Sequence, residues 1–255
     1  MIPRILVIAG SDSGGGAGIQ ADIKTITMLG GHAMTAVTAI TAQNTLGVDA
    51  VHPVPVEMVL AQIDAVVGDI GVDAVKIGMI GSAEAAEAVA RRLEGLDVPI
   101  VFDPVMIATS GSALADPPTI AAFERLMVIA SVVTPNLPEL EVLGGEAAVL
   151  AHGCHLVVKG GHADGPVVVD RLLSPTGPLH RLEGKRLDTV HTHGTGCTFA
   201  SALATGLGSG LPIREAFERA VRFVRIAILC APGLGQGHGP LGHHLGVIPF
   251  DEIES

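Results

Sequence analysis

The chain has 255 residues, 48% of them hydrophobic, and a formal net charge of −11. This length can bury one large core, and we find no linker that divides it, so we expect a single domain over residues 1–255. The few basic residues argue against a nucleic-acid partner, and the apolar runs are far shorter than the roughly 20 residues that cross a membrane. Three scattered cysteines and a start without a secretory signal pattern indicate reduced thiols and a cytoplasmic protein.

Short β-branched runs alternate with helical patterns along the whole chain. Apolar residues recur at helical spacing after the first run, again from Val59 to Val67, and again from Ile213 to Ile228, where Pro212 would be the first helical residue. We expect a three-layer α/β/α fold with a mostly parallel central sheet, and an irregular loop over Gly233–Gly246. The predicted strands are Ile5–Ala9, Ala36–Ala39, Ala74–Ile77, Ile100–Phe102, Val132–Val133, Leu156–Val158 and Val167–Val169.

A glycine-rich loop, Gly10 to Gly18, follows the first predicted strand and leads into a helix. Its spacing matches neither the dinucleotide fingerprint nor a P-loop, so a tight turn and a ligand-binding loop both remain possible interpretations. Asp22, in the first turns of the helix, and Gln43-Asn44, at the end of the second strand, are predicted to face the same cleft at the strand ends. These polar residues favour a ligand-binding loop.

A second glycine segment, Thr192 to Thr198, precedes a run of small residues typical of a helix. Successive backbone N–H groups of Gly194, Thr195, Gly196 and Cys197 would converge at the helix N-terminus and form an anion hole for a transferring phosphoryl group. A thiol in that position has a lowered pKa, so we expect Cys197 to take a proton from an attacking hydroxyl group. The alternative is a small core cysteine, which is how we interpret Cys154 and Cys230.

Polar residues also follow three further predicted strands. Asn136 and Glu139 are three positions apart on one helical face and could organise hydrated magnesium, although helix capping explains them equally well, and the same ambiguity holds for Asp103. Lys159 would place a cation at the cleft rim, where it can hold phosphate. The histidine pairs 191/193 and 243/244 lack a familiar ligand spacing, so we predict no transition metal and assign His193 to the glycine turn.

Seven motifs follow one another along the chain: Gly18-Ile19-Gln20-Ala21-Asp22, Thr41-Ala42-Gln43-Asn44-Thr45, Lys76-Ile77-Gly78-Met79, Asp103-Pro104-Val105-Met106, Thr134-Pro135-Asn136-Leu137-Pro138-Glu139, Val158-Lys159-Gly160-Gly161-His162 and His193-Gly194-Thr195-Gly196-Cys197-Thr198. In this order they strongly resemble the hydroxymethylpyrimidine and phosphomethylpyrimidine kinases of thiamine biosynthesis, members of the ribokinase-like superfamily. The match runs from about residue 4 to about residue 244.

The resemblance implies a role for each matching position. Substrate would contact Gln43, Asp22, Met79 and the backbone near Gly10. ATP would contact Lys159, Asn136 and Thr134, Mg²⁺ would be organised by Glu139 and Asp103, and the anion hole would comprise Gly194, Thr195, Gly196 and Cys197.

The implied reaction is ATP-dependent phosphorylation of 4-amino-5-hydroxymethyl-2-methylpyrimidine, followed by a second transfer onto its monophosphate. The resemblance also implies a homodimer. The segment from Leu143 to Cys154 is shorter than expected for this family, which predicts a trimmed or missing helix. Pyridoxal kinase is the nearest rival, since its substrate is also a flat ring with a hydroxymethyl arm, and a non-catalytic ligand sensor is the remote one.

Overall fold

The computed structural model describes residues 1–109 and 111–245. Its centre is one nine-stranded sheet with the strand order β3-β2-β1-β4-β5-β6-β7-β8-β9. All seven predicted strands are present, most of them longer than the apolar run that indicated them. The strands are β1 (Arg4–Asp12), β2 (His32–Gln43), β3 (Val48–Pro53), β4 (Ala74–Ile77), β5 (Ile100–Phe102), β6 (Val132–Val133), β7 (His155–Val158), β8 (Val167–Ser174) and β9 (Gly177–Lys185).

The sheet is parallel in its centre and antiparallel at its edges. Strands β2, β1, β4, β5, β6 and β7 pair in parallel, whereas β3, β8 and β9 pair antiparallel. The prediction of a mostly parallel sheet is therefore confirmed. Our sequence analysis missed β3 and β9, because most of their side chains are exposed or half-buried and neither contains a continuous apolar run.

Helices cover both faces of the sheet, as the three-layer prediction requires. On one face α2 to α6 enclose an apolar cluster that includes Ile63, Val89 and Phe123, and on the other α1, α7 and α8 enclose Ile26, Phe199 and Phe217. The helices are α1 (Gly18–Met28), α2 (Val56–Asp69), α3 (Ala83–Leu93), α4 (Pro117–Ile129), α5 (Leu137–Val142), α6 (Glu146–Leu150), α7 (Thr195–Gly208) and α8 (Ile213–Leu229). In the described part of the chain, none of them is both long and apolar enough to cross a membrane.

Three local predictions are refined by the structure. Pro212 is the residue before α8 rather than its first residue. The short connection after Asn136 contains two short helices, α5 and α6. Residues 233–245 contain neither helix nor strand, as expected of a loop, and Gly246, the last residue of that prediction, lies outside the described residues.

Candidate active site

A cavity of about 730 Å³ opens where the parallel strands end and α7 begins. Its position follows from the topology, because the carboxyl ends of parallel strands and the N-termini of the helices that follow meet at one edge of the sheet. It is lined by all the candidate residues except Asp22 and Thr134, which are fully buried one layer deeper. The lining candidates are Gly10, Gln43, Met79, Asp103, Asn136, Glu139, Lys159, Gly194, Thr195, Gly196 and Cys197.

The first turn of α7 forms the floor of the cavity. Gly194, the residue before the helix, has φ +86°, and a Cβ atom there would lie 1.9 Å from the carbonyl oxygen of Gly16. Only glycine fits this contact between the two glycine segments. The Thr195 N–H donates to the carbonyl oxygen of Thr192 at 3.3 Å. The N–H groups that follow it in the first turn, together with the helix dipole, favour an anion at this point.

The thiol of Cys197 lies in this first turn and is half-buried. Burial raises its pKa to about 11; Lys76 lowers it, while Asp22 and Asp103 raise it further. Our expectation of a lowered pKa is therefore wrong, because loss of hydration outweighs the helix N-terminus and the neighbouring cation. At neutral pH the thiol keeps its proton.

One lysine–aspartate pair borders the cavity beside α7. Lys159 Nζ lies 2.7 Å from Asp103 Oδ1, and the Thr134 hydroxyl donates a hydrogen bond to the same oxygen at 3.0 Å. A Cβ atom on Gly196 would lie 3.3 Å from both Lys159 Nζ and Asp103 Oδ2, so this pair packs directly against the first turn. The structure thus places a cation and a carboxylate beside the first turn of α7, and the Thr134 hydroxyl holds the carboxylate.

A second lysine–aspartate pair lies behind the same turn, away from the cavity. Lys76 Nζ is 2.8 and 3.0 Å from the two carboxylate oxygens of Asp22, and both side chains are 0% exposed. Ser201 on α7 donates to Asp22 at 2.7 Å. Asp22 was expected at the cleft surface; its contacts are instead with Lys76 and Ser201, so any effect on a ligand passes through them.

Asn136 and Glu139 form a reciprocal capping box at the start of α5. The Asn136 side chain accepts from Glu139 N at 2.9 Å, and Glu139 Oε2 accepts from Asn136 N at 2.8 Å. Capping, the alternative that the sequence left open, is therefore present, and both residues also line the cavity. Burial raises the pKa of Glu139 to about 7, against the opposing effect of Lys159 and with a further increase from Asp103.

The opposite wall of the cavity contains a buried Asp12–His193 pair. Asp12 accepts from the backbone N–H groups of residues 14, 16 and 17, at 2.8, 3.0 and 2.8 Å, and its Oδ2 is 2.9 Å from His193 Nε2. Burial raises the pKa of Asp12, but the hydrogen bonds from His193, Ala17 and Gly14 outweigh it and leave the pKa lowered. The Gln43 amide lies beside this pair, 3.3 Å from His193 Nε2.

The far end of the cavity is mainly apolar. Val168, Val221, Val224 and Ile228 line it, and Arg186, which also lines the cavity, donates hydrogen bonds to the carbonyl oxygens of residues 161 and 165 at 2.8 Å. Aliphatic groups on α8 and β8 therefore form this surface, in a chain without Trp or Tyr.

The sequence analysis did not predict a role for three residues of this region: Lys76, Asp12 and Ser201. Lys76 carried a usable signal, since a charge within the apolar strand Ala74–Ile77 must find a buried partner. The partner itself could not be read from the sequence, because Asp22 is 54 positions away. Ser201 carried no signal beyond its place in a helix of small residues.

Comparison with known proteins places this site in a family. A model described as phosphomethylpyrimidine kinase matches residues 12–242. The chain belongs to the phosphomethylpyrimidine kinase family. It is 47% identical to a hydroxymethylpyrimidine/phosphomethylpyrimidine kinase from Streptomyces coelicolor, with 94% of each chain covered. It is equally similar, over 94% of its own length, to the bifunctional thiamine biosynthesis protein ThiED from Geobacter sulfurreducens.

The chain spans only about half of that Geobacter protein, 52%, and 35% of the related multifunctional protein from Corynebacterium efficiens. Among solved structures, an ADP complex of Bacillus subtilis pyridoxal kinase superposes with a TM-score of 0.87 at 33% identity, covering 96% of this chain and 98% of that one. A phosphomethylpyrimidine kinase from Clostridium difficile gives 0.76 at 36% identity, covering 89% and 100%. The kinase family and the ribokinase-like fold are thus established.

Proposed function

We propose that this phosphomethylpyrimidine kinase family member uses ATP to phosphorylate 4-amino-5-hydroxymethyl-2-methylpyrimidine, and then its monophosphate to the pyrophosphate, in thiamine biosynthesis. The observation that carries the proposal is the arrangement around α7. Its N-terminus faces the cavity between the Lys159–Asp103 pair and a polar wall that contains Gln43. An anion hole with a polar ring-binding wall beside it suits phosphoryl transfer to a small heteroaromatic alcohol.

The nucleotide is assigned to the half of the cavity that contains Lys159 and the aliphatic surface of α8. Lys159 would neutralise phosphate charge, which answers how a chain of net charge −11 holds an anionic ligand. Asn136 would contact the phosphates from the start of α5. Thr134 would act indirectly, by holding Asp103 through its hydroxyl group.

Magnesium fits the carboxylates that are present. Mg²⁺ in kinases takes one or two protein carboxylates and completes its shell with phosphate oxygens and water. Asp103 and Glu139 would hold it, partly through water, and burial beside a second carboxylate gives Glu139 the raised pKa expected where two such groups share a site. When bound, the ion would neutralise charge that develops on the transferred phosphoryl group.

In the proposed reaction the hydroxymethyl oxygen attacks the γ-phosphorus in line, the bond to the bridging oxygen breaks, and ADP leaves. The N–H groups of Gly194 to Cys197 would stabilise charge on the transferred group. We assign the hydroxyl proton to the Cys197 thiolate. Because the thiol pKa is about 11 in the ligand-free protein, the thiolate is a minor but strongly basic species, so turnover should increase with pH.

Pyridoxal is the alternative substrate, and one observation favours it: the superposition with Bacillus subtilis pyridoxal kinase has a TM-score of 0.87, above the 0.76 of the Clostridium difficile enzyme. Sequence identity favours the pyrimidine, with 47% to the Streptomyces kinase against 33% to the pyridoxal kinase. We give priority to identity, because backbone shape is shared across the superfamily and side chains select the substrate.

The deciding experiment measures magnesium-dependent ADP release with the hydroxymethylpyrimidine, its monophosphate and pyridoxal offered separately, and identifies the products by mass. Turnover of both pyrimidines supports the proposal. Turnover of pyridoxal alone would show that the enzyme is a pyridoxal kinase. Tight pyrimidine binding without ADP release from any of the three would indicate a ligand sensor.

We further propose that residues 1–255 act as one kinase domain, as a homodimer in the cytoplasm. The single continuous sheet supports the first point. The homodimer is supported by exposed apolar side chains on the β2–β3 hairpin, those of Ile40, Leu46 and Val51. Light scattering should give about twice the chain mass of 25.9 kDa; a monomer at assay concentrations would contradict the dimer.

A further inference from the structure

The hydrogen bonds around Gln43 are inconsistent with one orientation of its side-chain amide. The oxygen and nitrogen ends of a glutamine amide have the same shape, so their neighbours decide which end lies where. With Oε1 towards Thr41 and Nε2 towards His193, the two contacts are 3.0 and 3.3 Å. Each neighbour tests this orientation independently.

The first test is the hydroxyl group of Thr41, which has a single proton to donate. Its Oγ1 lies 2.9 Å from the carbonyl oxygen of Ser11, which can only accept. The proton therefore goes to Ser11, and Thr41 must accept from its other neighbour. An NH₂ group of Gln43 satisfies Thr41, whereas an amide oxygen would place two acceptors 3.0 Å apart.

The second test is the ring of His193. Asp12 is held as a carboxylate by three backbone N–H donors, so its Oδ2, 2.9 Å from His193 Nε2, requires a proton on that nitrogen. The single proton on Nε2 is donated mainly to Asp12; at 3.3 Å it still attracts an amide oxygen as a weaker, shared acceptor, whereas it repels an NH₂ group. Both neighbours therefore demand the opposite orientation of Gln43.

We propose that the Asp12–His193 pair and Thr41 lock the Gln43 amide with its oxygen towards His193 and its NH₂ towards Thr41, and that this lock selects the substrate ring. His193 and Asp12 are positioning residues in this proposal, since they act through Gln43. The packing supports a fixed ring: a Cβ atom on Gly16 would lie 2.5 Å from His193 Cδ2, so the loop closes directly on the imidazole.

The lock defines a ring edge that the cavity can accept. The Gln43 amide has two N–H donors and an oxygen with two acceptor sites, and the contacts with Thr41 and His193 use one donor and one acceptor site. For a ligand there remain one acceptor site on the oxygen, on the His193 side, and one N–H donor, on the Thr41 side. The complementary edge is an exocyclic amine next to an unprotonated ring nitrogen. This inference rests on the proposed function and deepens it: aminopyrimidines fit, and rings with a carbonyl next to a ring N–H are rejected.

The orientation can be measured without any turnover, by NMR of the ligand-free wild-type protein. The Gln43 NH₂ signals, assigned by their loss in Gln43→Ala, should show nuclear Overhauser effects to the Thr41 methyl group. Long-range ¹H–¹⁵N spectra should show the His193 proton on Nε2. NH₂ contacts to the His193 ring, or an unprotonated Nε2, would overturn the proposal even if the enzyme proves active on pyrimidines.

Substrate selection is tested with two rings in the same assay: the aminopyrimidine and its 4-oxo analogue, in which donor and acceptor are exchanged. Wild type should prefer the amine by about 10- to 100-fold in kcat/KM, the effect of leaving one or two buried groups unpaired. His193→Phe removes one of the two constraints and should lower this ratio. In Thr41→Val/His193→Phe the amide is free to turn, so the ratio should fall towards one while both substrates are still turned over.

The matched control is His191→Phe, at a nearby histidine that does not line the cavity and whose Nδ1 is buried without a hydrogen bond. Its ratio should equal that of wild type. An unchanged ratio in the soluble, folded double variant Thr41→Val/His193→Phe would refute the lock. Failure of the proposed function looks different: wild type would turn over neither pyrimidine, while the NMR contacts would still report the amide orientation.

Discussion

The buried Lys76–Asp22 ion pair should make a large contribution to the stability of the fold. In Lys76→Met the side chain keeps its length but loses its charge. Among the residues that the structure describes, the fully buried Asp22 then keeps only the Ser201 hydroxyl as a side-chain partner. Removing one member of a buried pair destabilises a protein by about 3–5 kcal/mol. For a chain of this size, that loss corresponds to a decrease in Tm of roughly 6–20 °C.

The pH dependence identifies the cause. Burial raises the pKa of Asp22, and Lys76 is the main group that lowers it. Without Lys76 the folded-state pKa rises further above the unfolded value. The resulting stability is present at low pH and is lost as pH rises, so the deficit of the variant relative to wild type should be smaller at pH 5 than at pH 8.

Urea denaturation followed by circular dichroism at both pH values measures this effect. The double variant Lys76→Met/Asp22→Asn removes both charges and should recover most of the loss, because a neutral pair carries no charge desolvation. Lys185→Met, at an exposed position of β9, is the control and should change stability by less than about 0.5 kcal/mol. A deficit that is independent of pH, or a double variant no better than the single one, would show that an unpaired Asp22 charge is not the cause of the instability.

Three further outcomes concern the reaction. If Cys197 is the base, kcat should rise about tenfold per pH unit between pH 6.5 and 9, because the pKa of its thiol is about 11. Cys197→Ala should bind ATP normally but have a low kcat that does not change with pH. A wild-type kcat that is independent of pH would exclude Cys197 as the base. Burial raises the pKa of Glu139 to about 7, so the carboxylate that would hold Mg²⁺ becomes protonated below pH 7. The Mg²⁺ concentration for half-maximal rate should therefore increase by up to about tenfold for each pH unit below 7 in wild type, relative to Glu139→Gln. The same pH dependence in both proteins would exclude Glu139 from metal binding. Gln43→Ala should weaken pyrimidine binding by about 1–3 kcal/mol and leave the KM for ATP unchanged. The control is Gln62→Ala, since the Gln62 amide forms hydrogen bonds with the backbone of Val37. Equal pyrimidine affinities in the two variants would contradict the role assigned to Gln43.

The central strands and the glycine segments could be predicted because their causes are local. A run such as Val132–Val133 is buried on both faces of a parallel sheet, so hydrophobicity alone marks it. The segment from Gly194 to Cys197 follows turn and helix preferences within a few residues. The edge strand β9 escaped prediction because its partner β8, and not an apolar pattern, holds it in place.

The site was only partly predictable. Which residues gather at the strand ends follows from the order of strands and motifs in the chain. What each does depends on distant neighbours: Asp22 meets Lys76, Asp12 meets His193 across 181 positions, and Cys197 loses hydration in the folded interior.

Local patterns and motif order were enough to predict the fold class, the family and eleven of the residues that line the cavity. Only the tertiary structure showed the burial that raises the pKa of Cys197, the burial of Asp22 and the contacts on which the proposed orientation of Gln43 rests. The physical reason is that charge and hydrogen bonding depend on distance and on access to water, and both are fixed only when remote segments of the chain pack together.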